Sequence, residues 1–455
     1  MFGRLLLLSN VLWIVALFAC AAVSSAQTPF YSVVGIDLSS YANGALIRSE
    51  PMDSAPDGAT AYRVLYKSQG LQGEPVAVSG VVIIPPGPIP VNGRQIIAWA
   101  HPTTGIVPKC APSLARVFFQ SIQGLHEMLQ HGYVVTATDY PGLGTSGPHP
   151  YLVGVSEGRA VLDSVRVARS MPGAGGGNMF AVWGHSQGGQ AALYTGLLAG
   201  TYAPELQLVG VAAAAPATEL GALLTDDMET SGGRNITAMT VWSWSRVYRT
   251  PISQVVTPQA MPAIDQLANE CIERYFDVFE RRGPSKELQQ SFLQINNFTD
   301  IEPWHSLLAS NTPTALPPSI PIFLAQGMKD TLVLPAVTES YMQDLCKAGS
   351  AVQWYPVANS GHLFVAIAQE LPSVGLKDAS PGWLLQTTAS LRRSNDAHPL
   401  ATTAVLSFGD ESPSHSLSVG RHSFDSALKS GFRRVRRGFS LPFSSAVDLP
   451  PNADL

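Results

Sequence analysis

Met179-Phe180-Ala181-Val182-Trp183-Gly184-His185-Ser186-Gln187-Gly188-Gly189-Gln190-Ala191-Ala192-Leu193 reads in three steps. Residues 179–183 have the apolar run of a buried strand, Gly184 to Gly188 form a sharp turn, and the small residues that follow begin a helix. A serine at such a turn is forced into a strained backbone position, with its hydroxyl exposed above the sheet edge. Glycines two before and two after it are needed, because a Cβ there would collide with the neighbouring strand or helix. The helix that starts after Ser186 points its positive end at the hydroxyl and favours a developing oxyanion.

The glycine-serine-glycine pattern is cheap in a chain with 40 glycines, and it recurs at Gly154-Val155-Ser156-Glu157-Gly158. Context separates the two. The second copy follows His149-Pro150-Tyr151-Leu152-Val153, where Pro150 would interrupt a central strand. Ser156 therefore reads as the cap of a helix running through Ala160, Val161, Val165 and Val167.

Outward from this stretch, strands are expected at 61–67, 76–84, 95–100, 133–138, 208–214, 320–325 and 351–357, and helices at 114–130, 156–171, 337–347 and 363–370. Alternating strands and helices imply a mostly parallel, doubly wound α/β sheet. The alternation breaks at 217–318, which shows helical patterns, many aromatics and no convincing strand, so it reads as an inserted cap. The core is expected in two parts, 30–216 and 319–394. Residues 395–455 lose periodicity and carry a basic patch at Arg433, Arg434, Arg436 and Arg437, which reads as a solvated, disordered tail rather than a membrane contact.

A net charge of −5 gives no basic footprint for nucleic acid. The N-terminus reads as a signal peptide over 1–26: Arg4, an apolar stretch from Leu5 to Ala22, then Ser24-Ser25-Ala26 before a cut ahead of Gln27. An uncleaved anchor and lipidation at Cys20 are the competing readings; Asn10 and the small residues favour cleavage, and Phe18 is bulky for a lipidation site. The expected location is therefore outside the cell or in a periplasm. With Cys20 removed, Cys110, Cys271 and Cys346 remain, at no metal-ligand spacing, so neither a zinc site nor any other cofactor is expected.

A serine hydroxyl needs a base to become a nucleophile, and the base needs an orienting acid, in the chain order serine, acid, histidine on this architecture. Asp330 ends Ala325-Gln326-Gly327-Met328-Lys329-Asp330, and His362 follows Asn359-Ser360-Gly361; both come directly after strands, where sites form in open α/β sheets. Each could instead be a turn former or an exposed residue. The rival acids are Asp300 and Asp344 and the rival base is His305; His185 reads as packing behind the serine. Asp139 precedes Ser186 and stands beside Pro141-Gly142, so it reads as structural. Two donors are expected for the oxyanion. One is the backbone N–H of Gln187; the other comes from His101-Pro102-Thr103-Thr104-Gly105, with Thr103 first and Thr104 second, since Pro102 has no N–H.

With these residues placed, the chain resembles the α/β-hydrolases, and more narrowly the secretory lipases of fungi and bacteria. The resemblance rests on the 101–105 loop, Asp139-Tyr140-Pro141-Gly142-Leu143-Gly144, Gly184 to Gly189, Gly327-Met328-Lys329-Asp330 and Gly361-His362, and spans residues 31–393. It implies an α/β-hydrolase fold and hydrolysis of carboxylic esters, often of long acyl chains, by Ser186, His362 and Asp330 beneath a helical cap that could touch a lipid interface. Acyl transfer or peptide cleavage on the same machinery, and a catalytically silent binding protein, are the alternatives. Together with export and the odd cysteine count, it implies a Cys110–Cys271 disulfide, leaving Cys346 as a buried free thiol.

Overall fold

The computed structural model describes residues 29–225, 228–273, 281–295 and 297–367. The predicted signal peptide, Cys20 and the tail lie outside the described residues, as do Tyr275, Phe276 and Phe279 of the predicted cap. Nine strands form one sheet: β1 (Leu46–Met52), β2 (Thr60–Gln69), β3 (Pro75–Ile84), β4 (Arg94–Ala100), β5 (Val134–Thr138), β6 (Gly176–His185), β7 (Gln207–Ala214), β8 (Ile322–Gly327) and β9 (Val352–Val357). Their order is β1-β2-β3-β5-β4-β6-β7-β8-β9. The pairs β1–β2, β2–β3 and β3–β5 are antiparallel and all later pairs parallel.

The parallel strands are continuous apolar runs because helices cover both of their faces. Val134 to Thr138 and Ile322 to Gly327 are buried at every position. The helices among the described residues are α1 (Phe118–Ser121), α2 (Leu125–Gln130), α3 (Gly154–Ser170), α4 (Gln187–Tyr202), α5 (Leu220–Thr225), α6 (Ser231–Val247), α7 (Met261–Asn269), α8 (Arg282–Gln290), α9 (Trp304–Asn311) and α10 (Pro335–Lys347). Between β7 and β8 lie only α5 to α9, short 3-10 turns and one isolated bridge, Val256–Leu293, among the described residues. Their aromatic side chains pack largely on one another: Trp304 stacks on Trp244 at 6.4 Å and meets Phe298 edge-on at 6.0 Å.

Four local expectations need correction. The helix expected over 114–130 is two short pieces, α1 and α2, interrupted where Gly124 takes φ +79°. The edge strand β1 has no counterpart in the sequence reading; Arg48, Glu50 and Pro51 hide its strand character. Ser156 is not a helix cap: α3 begins earlier, Val153 is its N-cap, and the Ser156 hydroxyl is buried without a partner among the described residues. Cys346 is a free thiol as expected, but it is exposed, because Tyr341 and Leu345 take the buried face of α10 and Cys346 is the next position round. Of the helix expected over 363–370, only a 3-10 turn at Val365–Ile367 falls within the described residues.

Candidate active site

The carboxyl ends of five parallel strands converge. β6 runs into Ser186, and its neighbours β4 and β7 end level with it, Ala100 pairing with Gly184 and Ala214 with His185. The loops after β8 and β9 carry Asp330 and His362. Ser186 has φ +57° and ψ −120°, a conformation that L residues reach only under constraint. The constraint is close packing. A Cβ on Gly184 would stand 2.0 Å from the Gly188 carbonyl oxygen, and one on Gly188 would stand 2.0 Å from that of Ala100. Both positions must be glycine for the turn to close.

Ser186 Oγ lies 2.9 Å from His362 Nε2, and His362 Nδ1 lies 2.8 Å from Asp330 Oδ2. Asp330 Oδ1 accepts from the backbone N–H groups of Leu332 and Val333, both at 2.9 Å, and Gln326 Nε2 donates to Oδ2 at 3.2 Å. Gln326 is fixed in turn by Thr338, whose hydroxyl donates to Oε1 at 2.8 Å. Burial alone would raise the Asp330 carboxyl, but His362 and these donors hold it below the usual carboxylate range. An ionised Asp330 fixes Nδ1 as the protonated nitrogen, which leaves Nε2 as the acceptor facing Ser186.

His185 supports this from behind. Its Nε2 donates to the His362 carbonyl at 2.9 Å, its ring lies 4.8 Å from that of His362, and burial pushes its pKa down to about 3. The rival acids and base stand apart from the serine: Asp300 accepts from Asn297, Asp344 pairs with Lys347, and His305 bonds the Thr299 carbonyl on the exposed side of the helices. Asp139 accepts from Ser79, from the Ser113 hydroxyl and from the Ser113 backbone N–H.

Across the serine, neither the N–H of Gln187 nor that of Thr103 has an acceptor among the described residues. The 101–105 loop is held by several hydrogen bonds from outside it, one of them from Tyr140 Oη to the His101 carbonyl at 3.3 Å. His101 Nε2 meets the Asp139 carbonyl at 3.2 Å, the Thr103 hydroxyl meets Tyr151 Oη at 2.9 Å, and the Thr104 carbonyl accepts from Ile272 N at 2.9 Å. Ile272 follows Cys271, which is disulfide-bonded to Cys110. The Tyr151 segment is itself docked on α6: Trp244 Nε1 donates to the Tyr151 carbonyl at 2.8 Å and Ser243 Oγ to that of His149 at 2.6 Å.

The narrow cleft at Ser186 is lined by Tyr151, Leu152, Gln187, Ala217, Leu223, Ile236, Leu332 and Val333. Leu223 and Ile236 come from α5 and α6, so the helical segment turns aliphatic side chains toward the serine, while Trp244 and Trp304 stack on each other. Tyr151, His149, Glu157 and Gln326 carry no pattern in the sequence that marks them as site residues. Glu157 lay inside the second, discarded pentapeptide, and its sequence signal was only an acid in the first turn of a helix.

The secretory lipase family model matches residues 120–373, more than half of the chain. Lipase A of Moesziomyces aphidis is 23% identical over 381 residues, 76% of this chain and 78% of the relative. A protein of Mycobacterium tuberculosis named as a probable inactive lipase is 27% identical over 194 residues, 39% of this chain and 43% of the relative. The crystal structure of Candida antarctica lipase A in its closed state matches with a TM-score of 0.61 at 19% identity, covering 74% of this chain and 81% of that one; this likeness is one of fold. On the family match and the α/β-hydrolase architecture together, the chain belongs to the secretory lipase family.

Proposed function

We propose that the protein is a secreted carboxylic ester hydrolase, a lipase or esterase, in which Ser186 is the nucleophile, His362 the base and Asp330 the group that orients it. The observation that carries the reading is the unbroken hydrogen-bonded line Ser186–His362–Asp330 at a strained turn after the central strand. Ser186 Oγ attacks the ester carbonyl carbon as its proton passes to His362 Nε2. The oxyanion is held by the N–H groups of Gln187 and Thr103, helped by the α4 N-terminus. Collapse breaks the C–O bond, and the alcohol leaves with the proton from His362. A water molecule, deprotonated by His362, then attacks the acyl-enzyme and releases the acid and Ser186.

The aliphatic lining from Leu223, Ile236, Leu332 and Val333 favours an acyl chain over a polar group. Ser186 and His362 are each only 8% exposed, so substrate entry requires the 217–318 segment to shift, as a cap does. Its outer face is then the candidate contact with a lipid interface. The name of the mycobacterial relative makes a silent protein the rival reading, and the intact Ser186–His362–Asp330 line favours activity. A chain-length series of p-nitrophenyl esters tests both points: turnover rising from acetate toward longer esters supports a lipase-like enzyme, and no turnover of any ester contradicts the reading.

A further inference from the structure

Behind Gln187, the proposed oxyanion donor, lies a buried polar cluster that the mechanism above does not use. The Gln187 side chain reaches His149 and, on α3, Glu157. Its Nε2 donates to Glu157 Oε1 at 2.8 Å and meets His149 Nε2 at 3.1 Å. His149 Nδ1 bonds the Pro141 carbonyl at 2.9 Å, so it must carry the proton. His149 Nε2 is then an acceptor, which assigns the amide: the NH2 faces both His149 and Glu157. Both amide hydrogens are used, and Gln187 Oε1 is left buried with no partner among the described residues.

Glu157 mirrors this. Its Oε1 also accepts from the Leu152 N–H at 3.1 Å, while Oε2 is buried with no partner among the described residues. Two planar groups joined by one hydrogen bond thus each keep one unsatisfied oxygen, and two acceptors cannot satisfy each other. One proton on Glu157 Oε2 turns that oxygen into a donor, which is what Gln187 Oε1 lacks.

The surroundings agree. Glu157 is wholly buried, and the ionisable groups around it are His149, Tyr140, Tyr151 and Tyr194. Arg159, two positions along α3, is spent on the Gly70 carbonyl, and Arg281 acts on Tyr151 from beyond it. Among the described residues, no cation is hydrogen-bonded to the carboxyl. Burial pushes its pKa up to about 8, against the pull of the Gln187 and Leu152 donors.

We propose that Glu157 is a positioning residue held as the neutral acid, pairing edge to edge with the Gln187 carboxamide and so fixing the backbone N–H of Gln187 that faces the oxyanion. Ionisation of Glu157 opens one arm of the pair and sets two acceptors against each other. The kinetic part of this inference rests on the ester-hydrolase reading above; the protonation state does not.

The test compares wild type, Glu157→Gln and Glu157→Ala. Glutamine rebuilds both arms without a titrating proton. Wild-type kcat should fall on the alkaline side as Glu157 ionises, about tenfold between about pH 7 and about pH 9.5. Glu157→Gln should keep kcat within about twofold at about pH 7 and lose that limb, whereas Glu157→Ala should lower kcat about tenfold or more with KM little changed. An unchanged alkaline limb in Glu157→Gln overturns the proposal, as does a neutral kcat as low as that of Glu157→Ala. Infrared difference spectroscopy on inactive Ser186→Ala protein reads the proton without turnover. A carboxylic acid C=O band at neutral pH that disappears in the Glu157→Gln background is the expected result; its absence before that substitution overturns the proposal even if the enzyme is active. A band present in a protein without esterase activity would instead count against the ester-hydrolase reading alone.

Discussion

The Ser186 hydroxyl stands 2.9 Å from His362 Nε2, although 176 residues separate the two in the chain. Three strands and the whole helical segment intervene, and the sheet brings their ends back to one edge. Asp330 completes the line from a third loop, its carboxylate held by two backbone N–H groups and Gln326.

Asp330→Asn tests the orienting role. An amide at this position favours the imidazole tautomer with the proton on Nε2, pointing it at Ser186 and removing the base. We expect kcat to fall about 10³- to 10⁴-fold with KM little changed. Ester-hydrolysis kinetics on a variant shown to be folded by circular dichroism check this; near-native kcat would move the acid elsewhere.

Ile236→Trp tests the acyl-side reading of the cleft. Ile236 lines the space beside Ser186 from α6, and an indole would fill it. The kcat/KM for decanoate should drop about tenfold or more, and for acetate less than about threefold. An equal loss for both esters would mean that the aliphatic wall does not bind the acyl chain.

Removing the Cys110–Cys271 bridge should cost both stability and turnover. It closes a span of 161 residues and anchors the strand of contacts that holds the Thr104 carbonyl. The chain-entropy model gives about 5 kcal/mol for a loop of this length. Cys110→Ser/Cys271→Ser should therefore melt several degrees lower and show reduced kcat. A variant with unchanged melting and turnover would make the bridge incidental to the oxyanion loop.

Acid should destabilise the fold below the ordinary histidine range. Burial lowers the pKa of His101 to about 4 and those of His149 and His185 to about 3. The unfolded chain takes up these protons first, from about pH 6.5 downward. Stability is thus full above that pH and is lost as pH falls toward the folded values, at about 1.4 kcal/mol per pH unit for each group. Asp330, with its lowered pKa, adds in the same direction. Glu157 acts oppositely, its contribution being full at low pH and lost as pH rises toward about 8. Thermal unfolding should show the melting temperature falling between about pH 6.5 and about pH 4.5; a flat profile there would contradict the neutral buried histidines.

The sheet was legible because its strands are long apolar runs bounded by glycine and proline, and the turn at Ser186 because Gly184 and Gly188 leave no room for any other residue. β1 was not, since half of an edge strand faces solvent and its composition looks like loop. The Glu157–Gln187–His149 cluster escaped for a different reason. A buried acid looks like a surface acid until the fold shows what packs over it, and nothing near Glu157 in the chain marks α3 as covered on that side. Cys346 failed by a single helical position, a 100° turn that a hydrophobic pattern read from one face does not resolve.

The central claim is that Ser186 is the nucleophile, and covalent labelling tests it most directly. The protein is treated with a fluorophosphonate, ester hydrolysis is followed to completion of inactivation, and the adduct is mapped by peptide mass spectrometry. The account predicts one phosphonylated residue, Ser186, with activity lost in proportion to labelling and both label and activity absent from folded Ser186→Ala. Labelling of another serine, or ester hydrolysis that survives in Ser186→Ala, would contradict it.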